Sequence, residues 1–156
     1  MRSKVKVSNL HAGYKLNERF ARGVASKALE FLKKEDGAEL EFIFVDDEAI
    51  KAFNKKYKHE NRSTDVLSFK IDRREFGQKM FLGQIIISLD MARDNSEVFG
   101  STITDEIVLY MIHGILHLFG YDDGNTKDSL RMSKKQDLIL ERLGLCKDLS
   151  KVLMPR

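Results

Sequence analysis

The pattern of apolar and polar positions predicts four strands separated by helices. Residues 4–7 alternate lysine with valine, as a half-buried strand does. Residues 39–45 begin with the same alternation and end in a continuous apolar run, and residues 81–88 contain three consecutive isoleucines, so both segments are predicted to be buried strands. Residues 64–69 include Thr, Val, Leu and Phe, which favour extended structure, so a fourth strand is predicted there.

Helical spacing of apolar residues predicts about five helices between and after these strands. Asn17 is a residue type that caps helices, and Thr102 or Thr104 is expected to cap a later helix in the same way. An acidic run at residues 46–48 marks another start, because carboxylates stabilise a helix N-terminus. Gly144 is expected to end the last helix. The predicted helices cover approximately residues 17–34, 46–56, 89–99, 102–119 and 129–143.

These elements are predicted to belong to one domain. No repeat, low-complexity tract or boundary interrupts the chain, and its 156 residues fit a single domain. Strands interspersed with helices predict an α+β fold, with one roughly four-stranded mixed sheet packed with about five helices over residues 1–156.

Composition excludes several classes of protein. Apolar residues make up 42% of the chain, which is enough for a core and too much for a disordered protein. No apolar run approaches the roughly 20 residues of a membrane helix, and none follows the basic N-terminus as in a secretory signal. Cys146 is the one cysteine, which excludes an internal disulfide framework and a Cys-based zinc finger. We therefore expect a cytoplasmic protein with no membrane contact.

The net charge of +3 is unevenly spread along the chain. Residues 51–74 contain eight Lys or Arg and three Asp or Glu, a net charge of +5. Residues 124–156 contain eight basic and four acidic residues, a net charge of +4. Two basic stretches on a near-neutral body suit an anionic partner such as nucleic acid, and a solvated lysine-rich surface is the alternative interpretation.

Two of the four histidines are spaced to bind one metal ion. Four residues along a helix is about 400°, so His113 and His117 share one face about 6 Å apart. Gly120 follows three residues later and can turn the chain out of the helix with a positive φ, which allows Asp123 to face the same ion. Two imidazoles, one carboxylate and open positions are the ligand set of a catalytic metal site.

Alternatives to this ligand set stay open at this point. Asp122 is adjacent to Asp123, and both acids also fit an ordinary turn. His59 and His11 could compete for the ion. The spacing is similar to that of the metzincin zinc proteases, in which a glutamate base follows the first histidine. Here Gly114 occupies that position, so peptide hydrolysis by that mechanism is disfavoured.

Four segments of the sequence resemble the YbeY family of bacterial metal-dependent endoribonucleases. HGILHLFGYD at residues 113–122 is very similar to the family's signature. NKKYK at residues 54–58 and STDVLSF at residues 63–69 resemble its N-x-x-Y-R and P-T-D-V-L-S-F segments. LGQI at residues 82–85 resembles L-G-D-I, and all the blocks run in the family's order.

The resemblance implies a single-strand-specific endoribonuclease acting in rRNA processing, at the 3′ end of 16S rRNA, and in ribosome quality control. It implies single-stranded rRNA and the small ribosomal subunit or its associated factors as partners. It also implies one divalent metal ion, with zinc expected, held by His113, His117 and Asp123.

Four positions depart from the family's pattern. The family usually has a third histidine where this chain has Asp123, so the choice of metal is affected. Lys58 stands in place of an arginine and cannot grip a phosphate with two parallel hydrogen bonds. Gln84 replaces an acid, and Ser63 replaces a proline.

The chemistry of phosphodiester cleavage assigns expected roles to the basic block. Lys58 or Arg62 would position the phosphate and offset charge in the transition state, and Lys55 and Lys56 would bind the RNA backbone with them. The general base is open between a metal-bound hydroxide, Asp65 and Asp122. The side chains expected to stack on bases, if they are not simply packed in the core, are Tyr57, Phe69 and Tyr121.

Two other functions remain as alternatives. One is a catalytically weak, metal-binding, ribosome-associated RNA-binding factor, which the replacements at Lys58 and Asp123 favour. The other is a metal-dependent hydrolase of a different substrate.

Overall fold

The computed structural model describes residues 3–34, 37–72, 81–144 and 153–155. Cys146, Arg73 and Arg74 lie outside these residues. The elements run in the order β1 (Lys4–Asn9), β2 (Tyr14–Leu16), α1 (Glu18–Phe31), β3 (Ala38–Val45), α2 (Asp47–Lys58), β4 (Val66–Asp72), β5 (Phe81–Ser88), α3 (Leu89–Phe99), α4 (Ile103–Leu118), α5 (Thr126–Leu143) and β6 (Leu153–Pro155).

The main sheet has four strands in the order β1-β3-β5-β4. Strand β3 is parallel to both of its neighbours, and β4 is antiparallel to β5, so the sheet is mixed. The predicted α+β class, four-stranded mixed sheet and five helices are therefore confirmed. The short strands β2 and β6 form a separate antiparallel pair that the sequence analysis missed, because three residues are too few to display a period.

The two faces of the sheet bury different helices. One face presents apolar side chains of β3 and β5, such as Phe42 and Ile85, to the core that includes α1 and α4. The other face carries Ile86, which belongs with Ile50 of α2 to a second, smaller cluster. The helices α1, α3 and α5 all pack against α4, which makes α4 the central helix of the domain.

Most predicted boundaries lie within two or three residues of the observed ones. Strand β5 and helix α3 have the predicted bounds. Helix α1 ends at Phe31 rather than near residue 34, because the chain turns at Lys33, whose φ is +56°. Helix α5 begins at Thr126 rather than at residue 129, because the side chain of Asn125 caps it by accepting a hydrogen bond from the Asp128 N–H.

Helix α4 begins at a capping box and ends beside the edge strand β4. Thr102 accepts a hydrogen bond from the Asp105 N–H, and the Asp105 carboxylate accepts one from the Thr102 N–H. Further along, the hydroxyl of Ser68 on β4 donates to the carbonyl of Gly114 at 3.2 Å. Although α4 is strongly apolar, no helix in the described part of the chain is long and apolar enough to cross a membrane.

Candidate metal centre and its cleft

The two histidines of α4 point their Nε2 atoms at the same place. His113 and His117 lie one turn apart, and their Nε2 atoms are 3.0 Å from each other. Metal bonds of about 2.0–2.1 Å in tetrahedral geometry set two nitrogen ligands about 3.3 Å apart. Both side chains are about 30% exposed, so the shared point is accessible from outside. The pair is therefore preorganised near a ligating separation.

The turn that follows α4 brings a carboxylate to the same point. Gly120 has a φ of +92°, its N–H donates to the His117 carbonyl, and the Tyr121 N–H donates to the Leu116 carbonyl. These two hydrogen bonds form a Schellman motif, which reverses the chain at a glycine. Asp123 Oδ2 consequently lies 3.6 Å from His113 Nε2 and 3.7 Å from His117 Nε2. The three predicted ligands form a group that could hold a metal ion.

Asp122 and His59, two of the alternative ligands, have other surroundings. Asp122 Oδ1 accepts a hydrogen bond from the Asp123 N–H at 2.8 Å, so this acid shapes the turn. His59 is exposed at the C-terminal end of α2, where its φ of +58° ends the helix in the left-handed conformation. Neither residue belongs to the group of His113, His117 and Asp123 that could hold a metal ion among the described residues, which we call the metal-binding group.

His11, the third alternative, is engaged elsewhere in the fold. Its Nδ1 accepts a hydrogen bond from the Gly13 N–H, so its Nε2 carries the proton and donates to Asp90 at 2.8 Å. Burial raises the pKa of Asp90, but the hydrogen bonds from His11 and the Asp47 N–H outweigh burial and hold that pKa below its ordinary value. His11 therefore ties the β1–β2 connection to the start of α3.

A glutamine on α5 orients one of the histidines. Gln136 Oε1 lies 3.2 Å from His113 Nδ1 and accepts a hydrogen bond from it. With the proton on Nδ1, the lone pair of His113 Nε2 is left for the metal. The sequence analysis missed Gln136, because only the packing of α5 against α4 brings residues so far apart in sequence together.

We expect Gln136→Ala to weaken metal binding about 10-fold or more, the usual loss when a partner of a metal-ligating histidine is removed. The measurement is competition for zinc against a chromophoric chelator. Lys134→Ala, at an exposed position of the same helix, is the matched control and should bind zinc as the wild type does. Equal affinities for wild type and Gln136→Ala would show that the His113 contact does not influence the ion.

A cleft of about 460 Å³ opens from the metal-binding group along the edge strand β4. Its lining combines two lysines, Lys58 and Lys70, with the polar entry to β4 and with all three candidate ligands. Because an anionic chain entering this cleft meets the lysines and the metal-binding group together, the cleft suits a phosphodiester substrate. The lining residues are Lys58, Thr64, Asp65, Val66, Leu67, Ser68, Lys70, His113, His117, Leu118 and Asp123.

Lys58 and Asp65, two residues predicted to act in catalysis, both line this cleft. Lys58 Nζ sits 5.6 Å from the centre of the Phe69 ring, which supports the ammonium beside the cleft. Asp65 Oδ1 accepts a hydrogen bond from the Val66 N–H at 2.8 Å, and the Asp65 carbonyl accepts one from the Ser88 N–H. The Asp65 side chain is therefore held by the backbone at the start of β4.

The other predicted basic residues are not among the described residues that line the cleft. The side chain of Arg62 is 75% exposed and pairs with Glu60 at 2.6 Å. The expected role of Arg62 in positioning the phosphate stays a prediction. Lys55 and Lys56 are exposed on α2, close in sequence to Lys58.

A buried asparagine fixes the loop that carries Arg62. Asn54 is 3% exposed, and its side-chain amide donates to the Arg62 carbonyl at 3.0 Å. Ser63, which replaces the family's proline, donates from its hydroxyl to Asp47 at the start of α2. Two side-chain contacts therefore hold the α2–β4 loop next to α2, and this loop leads directly into the cleft.

Gln84, the remaining departure from the family's pattern, lies on strand β5 and bonds to a neighbouring strand. Its amide donates to Glu41 across the β3–β5 pair at 3.0 Å, so it links two strands of the sheet. It is not among the described residues that line the cleft.

A buried tyrosine lies one turn before His113, the first of the candidate ligands. Tyr110 accepts a hydrogen bond from Asn95 at 2.7 Å. Burial raises the pKa of Tyr110 well above its ordinary value, and the neighbouring carboxyl groups of Glu106 and Asp65 raise it further. Its hydroxyl therefore stays protonated and does not serve as a base.

The fold and the site together define a class of protein. A helix supplies two imidazoles, the turn after it supplies one carboxylate, and all three side chains line a cleft that also contains Lys58 and Lys70. Such an incomplete ligand set is the arrangement found in metal-dependent hydrolases.

Comparison with known proteins gives the family. The family model "Endoribonuclease YbeY" matches residues 6–144, and the chain belongs to the YbeY family. Relatives named Endoribonuclease YbeY from Bacillus thuringiensis (strain Al Hakam) and Bacillus cereus (strain AH187) are each 36% identical over 132 residues, covering 80% of this chain and 85% of the relative. The solution structure of TM1509 from Thermotoga maritima is 25% identical with a TM-score of 0.60, covering 92% of this chain and 93% of that one.

Proposed function

We propose that the chain, over residues 1–156, is a single-strand-specific, metal-dependent endoribonuclease. It acts in rRNA processing, at the 3′ end of 16S rRNA, and in ribosome quality control in the cytoplasm, with the small ribosomal subunit or its associated factors as partners. Membership of the YbeY family supports the reaction. The observation that carries the proposal is the cleft, which joins a candidate three-ligand metal group to two lysines.

One divalent ion is held by His113, His117 and Asp123. When bound, it supplies positive charge to a phosphoryl oxygen and makes water a stronger acid. Zinc is the expected ion, because two imidazoles and one carboxylate form one of its common catalytic ligand sets. Asp123, in place of the family's histidine, makes the set harder and more anionic, so ions that prefer oxygen compete better than they would against three histidines.

Lys58 binds the scissile phosphate, and Asp65 is the candidate general base. Lys58 lines the cleft and offsets the negative charge that grows on the phosphate in the transition state. Asp65 lines the same cleft and is oriented by its hydrogen bond from the Val66 N–H. Lys55, Lys56 and Arg62 bind the RNA backbone on the approach, where their exposure suits contacts with a mobile strand.

An exposed aromatic side chain supports the preference for single strands. Tyr57 is 51% exposed; its ring stacks on Phe53 at 6.1 Å and meets the edge of Phe69 at 5.3 Å. Lys56 Nζ lies over the same ring, 5.2 Å from its centre. The exposed part of the ring can contact an unpaired base, with the ammonium of Lys56 beside it. A base within a duplex is already stacked on both sides.

We expect Lys58→Ala to reduce the single-turnover cleavage rate about 10²-fold while RNA affinity changes little, since the residue acts on charge in the transition state. Lys55→Ala and Lys56→Ala should instead weaken binding and lower the salt dependence by about 0.7 counterion for each lost contact. The measurement is binding and single-turnover cleavage of one unstructured RNA across salt concentrations. Lys58→Arg is the conservative control and should cleave near the wild-type rate. If all three alanine variants bind and cleave RNA as the wild type does, these lysines belong only to a solvated surface.

The second candidate function is an RNA-binding factor with little catalytic activity, which the replacements at Asp123 and Lys58 favour. The two functions are distinguished by measuring binding and cleavage of an unstructured RNA and of its annealed duplex, each with and without chelator. The proposed enzyme cleaves the single strand, spares the duplex and stops in chelator. Tight RNA binding without chelator-sensitive cleavage would instead support the binding factor.

A further inference from the structure

A second, smaller pocket adjoins the metal-binding group on the side of α5. Its volume is about 130 Å³, and two of its lining residues, His113 and Asp123, also line the larger cleft. In liquid water this volume holds about four molecules, which is room for a sugar ring but not for a whole nucleotide. The lining residues are His113, Asp123, Ser129, Met132, Ser133 and Gln136.

The α5 side of this pocket is uncharged and rich in hydrogen-bonding groups. Ser129, Ser133 and Gln136 are spaced four and three residues apart, so they form one row along the helix. Neither serine hydroxyl has a hydrogen-bond partner among the described residues. Gln136 Oε1 is occupied by His113, which leaves its two amide protons for a ligand. Met132, which is 2% exposed, supplies an apolar floor.

The contrast with the larger cleft indicates what this pocket binds. The larger cleft carries Lys58 and Lys70 and suits phosphate, whereas no lysine or arginine is among the described residues that line the pocket. Neutral donors and acceptors next to the carboxylate of Asp123 suit a neutral hydroxylated group. In an RNA strand, the neutral hydroxylated group nearest to a phosphate is the ribose.

We propose that this pocket binds the ribose next to the scissile phosphate, and that Ser129 and Ser133 hydrogen-bond its 2′-hydroxyl. The inference rests on the proposed function, because it needs RNA to cross the metal-binding group. It makes the two serines determinants of specificity for RNA over DNA, since the 2′-hydroxyl is the group that DNA lacks.

The test is a double-mutant cycle in which one change is made in the protein and the other in the RNA substrate. Ser129→Ala/Ser133→Ala and wild type are compared on an unstructured RNA and on versions with one 2′-deoxy nucleotide on either side of the cleavage site. Affinity is measured by fluorescence anisotropy in chelator, and single-turnover cleavage is measured with metal. Ser26→Ala, an exposed serine on α1, is the matched control.

We expect one 2′-deoxy substitution in the RNA to lower its affinity for the wild type, and its cleavage rate, about 3- to 10-fold, which is the usual effect of losing one hydrogen bond. The double variant should show the same loss on the all-ribose RNA and no further loss on the 2′-deoxy version. Ser26→Ala should keep the full wild-type discrimination.

Two results would overturn the pocket's role. One is a loss on 2′-deoxy substitution that is as large in the double variant as in the wild type. The other is a wild type whose affinity and cleavage rate do not change with a 2′-deoxy nucleotide on either side of the cleavage site. Failure of the proposed function appears differently, as absence of cleavage of any RNA by metal-loaded wild type. In that event the binding cycle in chelator still decides whether the two serines contact the 2′-hydroxyl.

Discussion

His117→Ala is expected to lose stoichiometric metal and to cleave RNA about 10³-fold more slowly than wild type. The Nε2 atoms of His113 and His117 lie 3.0 Å apart, and Asp123 approaches both, so removing one imidazole leaves two ligands for an ion that needs three from the protein. The lost charge stabilisation is worth several kcal/mol, and each 1.36 kcal/mol is tenfold in rate. The measurements are metal content after dialysis and single-turnover cleavage.

His59→Ala is the matched control for this variant. His59 is exposed at the end of α2 and lies outside the metal-binding group, so its removal should change neither metal content nor cleavage. If His117→Ala keeps one equivalent of metal while remaining folded, the ion is bound elsewhere and the assignment of the centre is wrong.

Gly114→Glu is expected to destabilise the fold by at least about 3 kcal/mol and to create no peptidase. Gly114 holds the position at which metzincins carry their glutamate base. Here a Cβ atom would lie 2.7 Å from Ile85 Cγ2 and 3.1 Å from Ser68 Oγ, because α4 packs directly on the sheet at this residue. A glutamate would add both overpacking and a buried charge, and either alone is costly. The free energy of unfolding in urea measures the effect.

Gly23→Ala is the control for replacing a glycine within a helix. Gly23 lies in α1 with open space around its missing Cβ, so alanine there should leave stability unchanged or raise it by up to about 1 kcal/mol. A Gly114→Glu protein as stable as wild type, or one that cleaves casein in a chelator-sensitive way, would contradict the packing argument.

Local patterns predicted much of the fold and the candidate site. Strand β5 was predictable because three consecutive isoleucines bury both faces of a strand. The predicted bounds of α3 agree with the structure, in which Ser88 caps its start and Gly100 ends it. The metal-binding group was predictable because helix geometry sets the His113–His117 distance and because Gly120 permits the turn to Asp123. All of these depend on residues close in sequence.

The features that were missed depend on tertiary contacts. Gln136 reaches His113 only through the packing of α5 on α4, and no local pattern marks it. The strands β2 and β6 pair over three residues each from distant parts of the chain.

Titration of metal-free protein with a divalent ion, with cleavage of an unstructured RNA followed at each step, tests the central claim most directly. We predict that metal-free protein is inactive and that the single-turnover rate rises in proportion to bound metal. The rate should reach its maximum at one ion per chain. Full cleavage by protein shown to be free of metal would contradict the account, and so would saturation with metal without any cleavage.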